Sequence, residues 1–171
     1  MPNWVHNCLE VKGDPKILDK IEKDFQKEDW HWTDYFPVPK ELENIGKEHW
    51  KELDQMVYVD SDGERLSHQK AIELIKKYGS LDSYDWSINN WGIKWGDCET
   101  EFLRESQKMI ISDFDSPWST PVQMFMNISK KFPTLEFHMY HESWDNGEYG
   151  TYRIINGEVG DWEVSNLDFE E

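Results

Sequence analysis

The sequence predicts an α+β fold, specifically a ferredoxin-like split βαβ sandwich with a central insertion and a C-terminal β-hairpin. Three observations predict it. A strand pattern followed by an amphipathic helix occurs near the start of the chain, the same order recurs in the second half, and Asn156-Gly157 separates two strand-like segments near the end. We expect a single domain, residues 1–171, with residues 37–100 forming an irregular or helical insertion.

The first half begins with a predicted strand from Trp4 to Val11, which Gly13 ends. Asp14-Pro15 then predicts a helix start, because Asp caps helix N-termini and Pro suits the first helical position. Apolar residues recur in this helix at the spacing of one buried face. They are Ile17, Leu18, Ile21 and Phe25.

The insertion has weaker patterns. Trp30 to Phe36 is predicted to be extended or a loop, and the prolines of Pro37-Val38-Pro39 prevent regular structure after it. The remaining predicted elements are a weakly helical stretch from Lys40 to Leu53, a strand from Met56 to Val59, a turn from Asp60 to Gly63, a helix capped by Ser67 and closed by Gly79, and a short helix from Asp82 to Asn90.

The second half is more regular. Lys108 to Phe114 alternates as a strand does. Thr120-Pro121 predicts a helix start and Pro133 predicts its end, with one apolar face between them. A strand from Leu135 to Tyr140 follows. The last elements are the hairpin strands Thr151–Ile155 and Glu158–Val164, because Asn-Gly is a strong signal for a two-residue hairpin turn.

The net charge of −17, from 35 acidic and 18 basic residues, constrains the class of partner. Nucleic-acid affinity depends on Lys and Arg neutralising phosphates, so this charge disfavours direct binding of DNA or RNA. It favours a protein partner with a basic surface. After Lys131, Arg153 is the one remaining Lys or Arg. The candidate acidic face comprises Glu136, Glu142, Asp145, Glu148, Glu158, Asp161, Glu163, Asp168, Glu170 and Glu171.

Cysteine usage and the N-terminus predict a cytoplasmic location. Cys8 and Cys98 have no neighbouring Cys, which excludes a CxxC site, and two thiols are too few for a disulfide scaffold. We expect both thiols to be reduced, although their spacing alone is compatible with a disulfide. The N-terminus lacks the basic and apolar regions of a signal peptide, and no apolar run approaches the ~20 residues of a membrane span.

Four segments, in this order, resemble one known family. They are Met1-Pro2-Asn3-Trp4 with the strand up to Gly13, Phe36-Pro37-Val38-Pro39-Lys40-Glu41-Leu42, Trp91-Gly92-Ile93-Lys94-Trp95, and Phe114-Asp115-Ser116-Pro117-Trp118-Ser119-Thr120-Pro121 running on to Phe132-Pro133. The set is similar to the YubB-like family of ferredoxin-like proteins carried by phages and conjugative plasmids. Pro117 stands where that family commonly has a smaller residue. The resemblance implies the fold and a mobile-element origin, and it implies no catalytic residues.

The segment Trp91-Gly92-Ile93-Lys94-Trp95-Gly96-Asp97 has two interpretations. Two indoles flanking a lysine could bind a ligand or partner by stacking and cation–π contacts. Alternatively, Trp91 and Trp95 anchor the core, since large aromatics are usually buried for packing. We treat Trp91, Lys94, Trp95, Asp97 and Trp118 as binding candidates.

The sequence contains no signature of a catalytic centre, cofactor site or metal site. Asp60-Ser61-Asp62-Gly63-Glu64 fails as a calcium loop because Gln69 stands where a bidentate Glu is needed, so a turn is predicted. His138 and His141 are three apart on a strand and therefore point to opposite faces.

These observations lead to three functional hypotheses. The first is a binding protein that docks on a host protein with a basic surface and inhibits a defence nuclease or a related nucleic-acid-handling machine. The second is a small-molecule binder or enzyme with a pocket between the sheet and the insertion, lined by Trp86, Trp91, Trp95 and Trp118. The third is a single-stranded nucleic-acid binder, which the charge disfavours. The oligomeric state is left open.

Overall fold

The computed structural model describes residues 3–50 and 55–166, and the chain divides into two compact units. The first unit is drawn from residues 1–36 and 90–171, and the second comprises residues 37–89. The elements of the first unit are β1 (Trp4–Lys12), α1 (Pro15–Phe25), a 3-10 helix (Trp32–Tyr35), β4 (Cys98–Ser106), β5 (Met109–Pro117), α5 (Val122–Lys131), β6 (Glu136–Ser143), β7 (Glu148–Ile155) and β8 (Glu158–Asn166). The second unit holds α2 (Lys40–Glu43), β2 (Gly46–Trp50), β3 (Gln55–Val59), α3 (His68–Tyr78) and α4 (Ser83–Trp91).

The first unit is built on a six-stranded sheet with the order β4-β5-β1-β6-β7-β8, in which all neighbours are antiparallel. Four of its strands, in the order β4-β5-β1-β6, follow the ferredoxin-like pattern, with α1 and α5 as the two helices. β7 and β8 extend this sheet beyond β6. The predicted α+β ferredoxin-like fold, its C-terminal hairpin and the inserted segment after α1 are therefore confirmed.

The turns and caps predicted from sequence hold this sheet in register. Asp14 accepts a hydrogen bond from the Lys16 N–H at 2.8 Å and caps α1. Asn156 and Gly157 both have positive φ, 48° and 84°, as a two-residue hairpin turn with right-handed twist requires. β8 therefore pairs with β7 in the predicted hairpin.

The core of the first unit lies between the sheet and its helices. Phe125 of α5 is fully buried, and its ring centroid lies 5.5 Å from that of Trp32, 5.8 Å from Phe114 and 6.1 Å from Phe137. The Trp32 indole also donates a hydrogen bond to Ser112 Oγ at 3.0 Å. Aromatic rings thus pack together in this core, beside aliphatic side chains such as Leu9 and Ile110.

The second unit is a two-stranded sheet with helices. Ser67 caps α3 through the Lys70 N–H, and Gly79 ends it with a φ of 72°, both as predicted. The segment after β3 is a turn in which Asp60 Oδ1 accepts from the N–H groups of Asp62 and Glu64, each at 3.0 Å. The turn predicted for Asp60 to Gly63 is therefore present, and the Asp60 carboxylate accepts hydrogen bonds from the backbone of that turn.

Two predictions of local structure were wrong, and one strand was not predicted. Trp30 to Phe36 contains a 3-10 helix, because Asp97 accepts hydrogen bonds from the N–H groups of Trp32 and Thr33 at its start. The predicted helical stretch from Lys40 to Leu53 ends after one turn and gives way to β2, and its residues 51–53 lie outside the described part of the chain. β4 was not predicted, because an exposed edge strand carries few apolar residues to reveal its alternation.

Candidate functional site

The two faces of the six-stranded sheet differ in what covers them. Along β1, Val5, Leu9 and Val11 are buried on the side where α1 and α5 contact the sheet, whereas the alternating residues His6 and Cys8 remain exposed or half-buried on the other side. Side chains of a strand alternate between the two faces of a sheet. We call the side away from α1 and α5 the open face.

The strand register shows which residues share the open face, because directly paired residues point to the same side. One row across the sheet consists of Glu101, Asp113, Cys8, Tyr140, Thr151 and Glu163. The next row consists of Asp115, His6, Glu142, Tyr149 and Ser165. A third row consists of Leu103, Ile111, Glu10, His138 and Arg153, and a fourth includes Met109, Lys12, Glu136, Ile155 and Glu158.

The open face is strongly acidic. In these rows the cationic side chains are Lys12 and Arg153, and both are already paired. Lys12 Nζ lies 2.6 Å from Glu10, and Arg153 lies 2.8 Å from Glu136 and 3.7 Å from Asp161. No Lys or Arg of the described chain lies within ion-pair distance of the other acidic residues of this face, which are Glu101, Asp113, Asp115, Glu142, Glu158 and Glu163.

A shallow concavity of about 500 Å³ lies in the middle of this face. It is lined by His6, Cys8, Tyr140, Glu142 and Tyr149, together with the backbone of the strands that carry them. The two tyrosines are 42% and 47% exposed. Exposed aromatic rings beside a carboxylate suit a cationic side chain, since the ring face and the carboxylate both attract positive charge.

The pKa of the Cys8 thiol is shifted away from that of a reactive cysteine. Burial and a hydrogen bond to Asp113 raise the pKa of the Cys8 thiol to about 12. The thiolate is the reactive form, so this thiol stays protonated and unreactive at neutral pH. Burial also raises the pKa of Cys98, and both cysteines are free. Neither Cys8 nor Cys98 therefore has the lowered pKa of an activated thiol.

The ion pair between Glu136 and Arg153 should make the stability of the folded protein depend on pH. The hydrogen bond from Arg153 is the largest cause that lowers the pKa of Glu136 to about 2, from an ordinary value of 4.5. A carboxyl group with a lowered pKa in the folded state stabilises it above its unfolded pKa, and this contribution disappears as pH falls towards the folded value.

We therefore expect the stability difference between wild type and Glu136→Gln to shrink as pH falls from about 4.5 to about 2. Urea unfolding at a series of pH values measures it. Arg153→Gln should show the same reduced pH dependence, because it removes the partner that lowers the pKa of Glu136. An identical pH slope for wild type and both variants would contradict the assigned ion pair.

Three exposed tryptophans lie close to one end of the sheet. The rings of Trp4 and Trp95 meet edge to face, with centroids 6.4 Å apart, and Lys94 Nζ lies 4.6 Å from the centroid of Trp118. All three indoles are 40–42% exposed. Trp118 has a φ of 72°, which is unusual for a bulky residue, and its N–H donates to the Asn3 carbonyl at 2.8 Å. Of the candidates from the tryptophan motif, Lys94, Trp95 and Trp118 are thus at the surface.

Trp91 and Asp97, by contrast, lie in the interior of the protein. Trp91 is 6% exposed and donates from Nε1 to the Phe36 carbonyl at 2.8 Å. The Asp97 side chain is fully buried, and its oxygens accept from the N–H groups of Trp32 and Thr33 and from the Thr100 hydroxyl. Lys94 Nζ, from the same motif, lies over the ring of Trp118. Trp91 and Asp97 therefore stabilise the fold, and almost none of either residue is exposed at the surface.

The structure divides the predicted acidic candidates. Glu142, Glu158, Asp161 and Glu163 lie on the open face. Asp145 is exposed in the turn after β6, and Glu148, at the start of β7, points to the other side of the sheet, opposite Ser143. Asp168, Glu170 and Glu171 lie outside the described residues.

Sequence reasoning missed four carboxylates of the open face, Glu10, Glu101, Asp113 and Asp115. A usable signal was present in β5, where Asp113 and Asp115 alternate with buried Ser112, Phe114 and Ser116. Such alternation predicts two carboxylates on the solvent side of one strand. The excess of acidic residues after Lys131 predicted only the carboxylates on the C-terminal strands of this face. The missed carboxylates lie on β1, β4 and β5.

Two other sequence predictions concern histidines and membranes. His138 lies on the open face beside Glu136, and His141 points to the other side, where its ring stacks on Tyr152 at 5.5 Å. Within residues 3–50 and 55–166, no group of three or more His, Cys, Asp or Glu side chains has metal-binding geometry. Among the same residues, no helix combines the length and apolarity needed to cross a membrane.

The sheet order and its two helices define a ferredoxin-like α+β domain. Residues 90–171 match the family model described as the ferredoxin-like domain in Api92-like protein. The crystal structure of a protein api92 from Yersinia pseudotuberculosis is similar to this chain with a TM-score of 0.58, covering 99% of this chain and 100% of that one at 14% identity. At this identity the likeness shows a shared fold. The comparison with curated proteins gave no match.

Proposed function

We propose that this chain is a binding protein that docks the open face of its sheet on a basic surface of another protein. The observation that carries the proposal is the excess of carboxylates over cations on that face, where Lys12 and Arg153 are the described Lys and Arg side chains and both are paired. Complementary charge steers association and rejects partners of the wrong sign. The tyrosine-lined concavity supplies a place for a cationic side chain to be desolvated.

The partner we propose is a host protein that handles nucleic acid, such as a defence nuclease. Such proteins present basic grooves to phosphate backbones, and a face of carboxylates carries charge of the same sign as a backbone. The resemblance to the YubB-like family supports an origin on a phage or plasmid, where inhibitors of host defences are useful. The same charge argues against a single-stranded nucleic acid on this face, because the described residues that line the concavity with Tyr140 and Tyr149 include Glu142 and no lysine or arginine.

The test uses two variants with equal changes of charge. The open-face variant carries Glu101→Gln, Glu142→Gln and Glu163→Gln, which are spread over β4, β6 and β8. The control variant carries Glu22→Gln, Glu28→Gln and Glu43→Gln, at positions outside the open face. Both should fold as wild type does, because none of the six side chains is buried.

Immobilised wild type and the control variant should retain the same basic, nucleic-acid-binding proteins from host lysate, and excess duplex DNA should release them. The open-face variant should retain at least about ten-fold less, because most of the attraction is removed with its charges. Mass spectrometry identifies the retained proteins. Equal losses in both triple variants would show that net charge alone causes retention, and the proposal would fail.

A further inference from the structure

β8 is an edge strand with its outer side unpaired in the described part of the chain. It runs for nine residues, Glu158–Asn166, and it is last in the sheet order, with β7 on its inner side. An edge strand presents a row of main-chain N–H and C=O groups that can pair with another extended chain. Natural proteins often protect such edges with lysine or proline, and β8 contains neither.

The two sides of β8 have different chemistry. Glu158 and Glu163 lie on the open face, and so does Asp161, which reaches Arg153. Trp162 and Val164 lie on the opposite side, 65% and 37% exposed. A strand added beside β8 would therefore meet carboxylates on one of its faces and an apolar surface on the other.

A second copy of this chain is a poor occupant of the edge. In an antiparallel pair of β8 strands centred on Trp162, Asp161 of each copy would lie opposite Glu163 of the other. Like charges directly opposite each other destabilise a strand pair. The charge on β8 therefore selects against self-pairing and favours a strand of opposite charge.

We propose that the outer edge of β8 takes up an extended segment of the partner protein in which Lys or Arg alternates with apolar residues. This inference rests on the proposed function and specifies how part of the basic partner is bound. The cationic side chains of the segment face Asp161 and Glu163, and its apolar side chains pack on Trp162 and Val164. Main-chain hydrogen bonds to β8 add affinity, and the alternation gives specificity.

Three synthetic peptides test the inference on the full chain. The first alternates Lys and Val, the second has the same composition with the lysines grouped, and the third is the alternating peptide N-methylated at two neighbouring central residues. The third peptide lacks an N–H donor on each of its edges, so it cannot complete a strand pair. Fluorescence anisotropy gives the affinities, and hydrogen exchange locates the bound peptide.

The alternating peptide should bind about ten-fold more tightly than either of the others. It should slow amide exchange in residues 158–166. Trp162→Ala should abolish its advantage over the grouped peptide, whereas Ile75→Ala should preserve it. Ile75 is a suitable control because it is an apolar side chain, 48% exposed, on helix α3 of the second unit.

The possible failures are distinguishable. If all three peptides bind equally and the open-face triple variant weakens all of them, the proposed function survives and strand addition is overturned. If none binds, both proposals fall. If wild type forms a dimer in sedimentation that Trp162→Ala dissociates, a second copy occupies the edge and the inference is wrong.

Discussion

Replacement of Asp97 by alanine is expected to destabilise the protein by about 3–5 kcal/mol. The Asp97 side chain is fully buried and accepts hydrogen bonds from the N–H groups of Trp32 and Thr33 at 3.1 and 3.2 Å and from the Thr100 hydroxyl at 2.7 Å. The substitution leaves these donors without an acceptor, and each buried unsatisfied donor costs about 1–3 kcal/mol. Against a typical total stability of about 5–15 kcal/mol this is a large loss.

Guanidinium chloride unfolding followed by tryptophan fluorescence measures the change. Asp97→Asn should lose less than Asp97→Ala, because one carbonyl oxygen remains as an acceptor. Asp145→Ala removes an exposed carboxylate from the turn after β6 and should change stability by less than about 0.5 kcal/mol. If Asp97→Ala were as stable as Asp145→Ala, Asp97 would not have the structural role assigned to it.

The contrast between Asp97 and its neighbours shows how far the tryptophan motif could be interpreted from sequence. Trp91, Lys94, Trp95 and Asp97 lie within seven residues, yet Trp91 and Asp97 are buried and Trp95 is 42% exposed. Their partners, such as Phe36 for Trp91 and Trp32 for Asp97, are distant in the sequence. Local spacing cannot predict contacts of that kind, because they depend on which strands become neighbours.

The fold was more predictable than the site because its signals are local. Asp14 and Ser67 cap helices as predicted, and Asn156-Gly157 forms the predicted turn. The open face is a different case, since it collects residues from strands at both ends of the chain. Cys8, for example, lies between Asp113 and Tyr140, and this could be foreseen only with the strand order in hand.

The edge that β8 provides depends on a glycine in the neighbouring strand. A Cβ atom on Gly150 of β7 would lie 2.3 Å from the Glu163 carbonyl oxygen and 2.8 Å from Cε1 of His141. The nearest of these is backbone, which cannot rotate away as a flexible side chain would. Gly150→Ala should therefore force β8 away from β7 while the central strands keep their pairing.

We expect Gly150→Ala to lower the local stability of β8 by about 3 kcal/mol, which corresponds to roughly 100-fold faster amide exchange there. Hydrogen exchange resolved by residue measures this, with the amides of β1, β5 and β6 remaining protected. Gly160→Ala in β8 itself is the matched control. The nearest atom to its new Cβ would be the Arg153 carbonyl oxygen at an ordinary 3.7 Å.

The same pair of variants separates the two ways in which the acidic surface can act. Attraction by the open face depends on charge, which Gly150→Ala does not change, so binding of the grouped-lysine peptide should survive with the same salt dependence. Strand addition depends on an ordered β8, so the advantage of the alternating peptide should be lost in Gly150→Ala and kept in Gly160→Ala. If Gly150→Ala exchanged faster in β8 but still preferred the alternating peptide, the preference would come from another part of the surface, because a displaced edge cannot present a regular row of hydrogen-bonding groups.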